Sequence, residues 1–160
     1  LGAGLGAMDG SLTIGKKKYA ASEPEMIEIT SKAKELQGKL LKLVDADAEA
    51  FVPLSKAYSM PKDAPGRDEI MESCLVRAAG VPLEIVRLSA EAIFLMARFA
   101  EIGSALAVSD AGCGAAMCQA AMNSAALNVF INTKLMRNRE EAEKIADSIA
   151  DSMKIILKVG

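Results

Sequence analysis

The segment Ser109–Asn132, SDAGCGAAMCQAAMNSAALNVFIN, limits the folds open to this chain more than any other. It is mostly Ala, Gly, Ser and Cys, yet it reads as one long helix. A helix with so little bulk is expected to be buried, with its neighbours approaching closely. At about 100° per residue, Asp110 and Asn128, which are 18 positions apart, share a face. Gly114, Ala121, Ser124 and Asn132 lie within about 40° of that line. A polar line down a buried helix needs partners, because unmatched buried polar groups are penalised. Those partners are other protein groups or a ligand. Ser109 or Asp110 can cap the helix. Asn128 and Asn132 can satisfy backbone groups at a bend, or bind across a subunit interface.

The rest of the chain agrees with helices. Its 160 residues suit one domain with a real core. The hydrophobic fraction is 51%, but aromatics are only 4% and Trp is absent. Such a core suits close-packed helices better than a β-sandwich. Met26, Ile29, Ala33, Leu36, Leu40 and Leu43 step by three and four, and predict a helix from Pro24 to Tyr58. The stripe continues through Asp47 to Phe51 and Leu54. An acid on an apolar seam is costly unless it is paired or protonated. Asp47 is therefore either an inert paired group or an acid/base of raised pKa. "MPKDAPG" (Met60–Gly66) breaks the chain. A helix over Arg67–Ala79 is expected next. "GVP" (Gly80–Pro82) separates it from another, which ends at Gly103 as a C′ residue. The last helix carries Ala142, Ile145, Ile149, Met153 and Ile156, with Glu140, Glu141 and Glu143 in its first turn.

Other features exclude classes of function. The net charge of −2 gives no global sign of nucleic acid or anionic membrane. No apolar run approaches the roughly 18 residues of a membrane span, and no signal peptide is seen. Cys74, Cys113 and Cys118 form no CxxC pair, so neither a disulfide framework nor a zinc site is suggested, and a cytoplasmic location is expected. There is no histidine, so proton transfer falls to Asp, Glu, Lys, Tyr, Cys or water. "LGAGLGAM" (Leu1–Met8) fits the loose GxGxxG pattern, but no strand precedes it. A close-packing helical segment is expected instead of a dinucleotide site.

Three segments in order carry a resemblance. They are "LTIGKKKY" (Leu12–Tyr19), "DADAEAF" (Asp45–Phe51) with "MPK" nine residues on, and "AVSDAG…SAALNVFIN" (Ala107–Asn132). "VPLE" (Val81–Glu84) lies between the last two. Together they resemble the cyclodeaminase/cyclohydrolase family, that of the C-terminal domain of formiminotransferase-cyclodeaminase and of stand-alone bacterial folate cyclohydrolases. Members usually carry a Gly-rich stretch and a long Ala/Gly helix before the lysine run. Here "DGS" (Asp9–Ser11) interrupts where that helix runs on, and the N-terminal part of the family domain is expected to be missing.

The resemblance implies an all-α antiparallel bundle of a single domain over residues 1–160. It implies a homodimer or higher even oligomer, with folate pockets at the dimer interface. The substrate would be a one-carbon-substituted tetrahydrofolate, including polyglutamylated forms, with no further cofactor and no metal. Asp110 and Asp47 would be the catalytic acids or bases. Asn128 and Asn132 would bind the pterin, and Lys16, Lys17 and Lys18 the glutamate tail. A non-catalytic oligomerisation or binding module is the competing reading. The two differ in whether Asp47, Asp110, Asn128 and Asn132 converge on one solvent-reachable pocket, in one subunit or across two.

Overall fold

The computed structural model describes residues 1–156, with side chains to residue 153. The described residues are helical, without strands: α1 (Gly2–Thr13), α2 (Glu23–Tyr58), α3 (Arg67–Ile102), α4 (Val108–Leu135) and α5 (Arg139–Ile156). A 3-10 segment, Lys17–Ser22, leads into α2.

Glycine sets the packing of α1. A methyl group on Gly2 would collide with the Cys118 sulfur and the Gly114 carbonyl; one on Gly6 would strike Met96 and Phe99. The backbones of α1 and α4 can therefore meet only at bare glycine. The GxGxxG-like run is thus a packing surface inside a helix. Asp9, Gly10 and Ser11 do not interrupt α1, contrary to the sequence reading, and the helix continues to Thr13.

The core shows the order of the helices. Met26, Ile29 and Ala33 of α2 pack with Met96 and Phe99 of α3 and with Ala111 of α4. Leu36 meets Leu88 and Ala92, and Leu54 meets Leu75. Moving up α2 is thus moving down α3. Further along, Val86 and Ala90 of α3 meet Met122, Ala125 and Val129 of α4. α5 covers the far side, with Ala142 and Ile149 buried and Ile145 and Met153 packed against the core. Ile156, expected on the same face, lies outside the residues whose side chains are described.

The expected break at Gly80–Pro82 does not occur, because α3 runs unbroken through Pro82. Proline lacks an N–H, so the carbonyl four residues back, on Ala78, loses its helical partner. Asn132 Nδ2 donates to that carbonyl at 3.3 Å. The side-chain amide supplies what the proline removed. Asn132→Ala is expected to cost about 1 kcal/mol in urea unfolding. In a Pro82→Ala background the restored N–H serves Ala78, and most of that cost should vanish. Equal costs in both backgrounds would refute this account.

Two further expectations fail. Gly103 follows α3 but is extended, with φ −84° and ψ −171°, not left-handed. It is needed for space, since a methyl there would press on the Phe99 carbonyl and both Asp9 carboxyl oxygens. The α2 seam also passes Asp47 by. Beyond Leu43 the buried residues are Ala50, Leu54 and Ala57, while Asp47 and Phe51 are exposed. Asp47 lies about 60° from Ala50 around the helix. That is the rim of the contact with α3, beyond the reach of α1.

Candidate active site

α1 occupies the space between α2 and α4 at one end of the bundle only. At the other end those helices flank an open cleft with α3 as its floor. The cleft has a volume of about 280 Å³ and is lined by Asp47, Phe51, Tyr58, Pro82, Asn128 and Asn132. A second hollow of about 450 Å³ touches Leu40, Ser89 and Ala121. Each of these stands seven residues from a cleft residue, namely Asp47, Pro82 and Asn128, so the two hollows lie in line along the same helices. Hollows of this size accommodate small-molecule ligands.

Three residues singled out in the sequence, Asp47, Asn128 and Asn132, therefore meet in one solvent-open cleft. Asp47 is exposed and joins no ion pair among the described residues. Asn128 Nδ2 donates to the Ser124 carbonyl at 3.3 Å. Asn132 Nδ2 donates to the Asn128 carbonyl at 3.1 Å as well as to Ala78.

Asp110 does not join them within one chain. It lies in the first turn of α4, and 18 residues of helical rise put it roughly 27 Å from Asn128. The face that Asp110 and Asn128 share is about five turns long, with the two residues at its opposite ends. Nor is α4 buried all round: Met117, Leu127 and Ile131 are exposed.

Lys16, Lys17 and Lys18 are exposed at the Asp110 end, away from the asparagines. The Lys18 ammonium stands 5.4 Å from the centre of the Tyr19 ring. The Tyr19 hydroxyl accepts the Ala105 N–H at 3.3 Å. That bond favours the phenolate and holds the phenol below its ordinary pKa, with Lys18 adding a smaller pull. The residue missed in the sequence is Asp9. It is fully buried, and its carboxyl is pushed up by burial. Its signal was available: it is the only ionisable side chain in α1. Tyr58, which ends α2 over the cleft, was also missed.

A family model described as formiminotransferase-cyclodeaminase matches residues 1–151. The chain is 36% identical over 148 residues to a methenyltetrahydrofolate cyclohydrolase of Methylorubrum extorquens, covering 90% of this chain and 71% of that protein. It is 30% identical to a formimidoyltransferase-cyclodeaminase of Dictyostelium discoideum, covering 99% of this chain but only 31% of that longer protein. The solved structure of a formiminotetrahydrofolate cyclodeaminase from Thermotoga maritima superposes with a TM-score of 0.89 at 28% identity, over 99% of this chain and 77% of that one.

Proposed function

The chain belongs to the formiminotransferase-cyclodeaminase family, and from that we propose a folate one-carbon enzyme working at the carbon bridging N5 and N10 of tetrahydrofolate. In the cyclodeaminase direction, N10 attacks the formimino carbon of 5-formimino-tetrahydrofolate and ammonia leaves. In the cyclohydrolase direction, water adds to the methenyl bridge and the ring opens to 10-formyl-tetrahydrofolate. Both pass through a tetrahedral carbon between two nitrogens. Both need a group that takes a proton from the nucleophile and returns it to the departing nitrogen. The cleft carries the reading: Asp47, Asn128 and Asn132 from two helices line one hollow of ligand size. The stand-alone relative from Methylorubrum, matched over most of its length, favours the hydrolase branch. A near-UV assay tests both. Absorbance rising with ammonia release from 5-formimino-tetrahydrofolate assigns the deaminase, and faster loss of methenyl-tetrahydrofolate alone assigns the hydrolase. No change in either, from a folded dimer, would leave a non-catalytic module.

In this reading the bundle is antiparallel and dimeric, and the second copy completes the site. From Ala111 to Thr133 no side chain is charged, yet Leu127 and Ile131 are more than 60% exposed. On α1 the outward residues include Met8 and Leu12, while its one ionisable side chain faces inward. An apolar outside is the mark of an interface. Asp110 and Lys134 bracket the uncharged span symmetrically about Met122. A two-fold antiparallel pairing of α4 centred there brings Asp110 of one copy to the level of Lys134 in the other. It comes within a turn of Asn132, on the same side of the pair. Leu127→Glu is expected to yield monomers by light scattering and to abolish turnover. A dimeric, active variant would rule out this face.

A further inference from the structure

We propose that Asp9 is a protonation-dependent positioning residue for Asp110: only with a neutral carboxyl can α1 seat against Gly103–Ser104 and hold the first turn of α4 in place. This rests on the role given to Asp110 above. The geometry is that of a group with little room for a charge and, among the described residues, no ion pair to hold one; the Thr13 hydroxyl and the Ser104 N–H give it only weak support. Asp9 is 0% exposed. Its carboxyl lies flush on Gly103, where an added methyl would come to 3.2 and 3.3 Å from the two oxygens. Among the described residues Oδ2 has no hydrogen-bond partner. Oδ1 has only a long contact, 3.5 Å, with the Thr13 hydroxyl. That hydroxyl has one proton and makes a shorter bond, 3.0 Å, to the Asp9 carbonyl. Its oxygen in turn accepts the Ser104 N–H at 3.0 Å, tying the end of α1 to the turn before α4.

The charged groups acting on Asp9 are Asp110, from α4, and Lys16, from the segment after α1. Tyr19 reaches the same turn at Ala105 but hydrogen-bonds away from the carboxyl. Asp110 opposes a charge on Asp9 and Lys16 favours it, so the two work against each other. Burial then decides, and it favours the neutral acid. Of the two neighbouring carboxyls Asp9 is the buried one, and it is there that burial favours the neutral form. If the buried one ionises, an unpaired charge sits in the corner and faces Asp110. The Thr13–Ser104 link then loses its seat.

The sign follows from linkage. The folded protein holds the Asp9 proton more tightly than the unfolded chain, so stability falls as pH rises from the ordinary carboxyl range through the raised native value. The test compares turnover and thermal midpoint against pH for wild type, Asp9→Asn and Asp110→Ala. Asp9→Asn keeps the shape and cannot ionise. Wild type should lose several degrees of thermal midpoint across that window, with a several-fold fall in turnover on the alkaline side. Asp9→Asn should show neither slope and keep near-wild-type turnover at the optimum. An unchanged slope of midpoint and rate in Asp9→Asn overturns the proposal. Normal turnover in Asp110→Ala, with the Asp9 slope in stability still removed by asparagine, would instead sink the role of Asp110 and leave Asp9 as the proton-linked seat of α1.

Discussion

Asp110→Ala should lower turnover by a factor of about 10² or more with the helical fold intact, because a positioned acid/base contributes that much. There is no histidine to take over the task. Asp110 stands in the first turn of α4. Its distance from the cleft in one chain makes a second experiment decisive. Asp110→Ala chains are mixed with Asn128→Ala chains, each inactive alone, and allowed to exchange. Half of the random dimers are then mixed, and each mixed dimer has one site free of both changes. Roughly a quarter of all sites should therefore work. Recovery of that order would establish a site shared between copies. Inactivity after proven exchange would confine Asp110 to its own subunit, and near-normal turnover of the single variant would remove it from the chemistry.

Phe99→Ala is expected to cause the largest loss of stability, about 3–5 kcal/mol. The ring is fully buried and touches all of the first four helices through Ala7, Met26, Met96 and Ala111. It also fills the space that Gly6 and Gly10 leave on α1. Little else there is bulky enough to close the cavity, so relaxation recovers little. At about 2–4 °C per kcal/mol, the thermal midpoint should fall by roughly 6–20 °C. The ring is one of the groups that seat α1, so the amides of α1 should lose hydrogen-exchange protection before those of α3. A loss under about 1 kcal/mol in chemical denaturation would show that the ring is not the keystone of this end.

How much of this was legible in the sequence varies with the physics involved. The helices of α2 and α5 could be read from period alone, because their buried residues repeat every three to four positions over long spans. The continuity of α3 could not. A proline in "GVP" reads as a stop, and only a residue 50 positions further on, Asn132, reveals why it is tolerated. For Asp47, extending the stripe of the first half of α2 assumed that the same neighbours continue. In fact α1 ends its contact and the core direction turns. The sequence offers the meeting of Asp47 with the two asparagines only as what separates an enzyme from a scaffold; their approach comes from α2 and α4 flanking one cleft. The separation of Asp110 was implicit in its numbering, because a shared face says nothing of axial distance. Asp9 was passed over because a short Gly/Ala segment draws attention to its glycines.

The proline in α3 also fixes the polarity of the cleft. Both protons of the Asn132 amide nitrogen are committed, one to the Ala78 carbonyl that Pro82 orphans and one to the Asn128 carbonyl. The Asn128 nitrogen is likewise turned back onto α4. What the two side chains leave for a guest is their two oxygens and the second N–H of Asn128. The Asn132 end of the wall therefore presents only an acceptor, while Asn128 keeps one donor beside its acceptor. A backbone defect on one helix thus decides which hydrogen-bonding atoms the next helix turns toward the cleft.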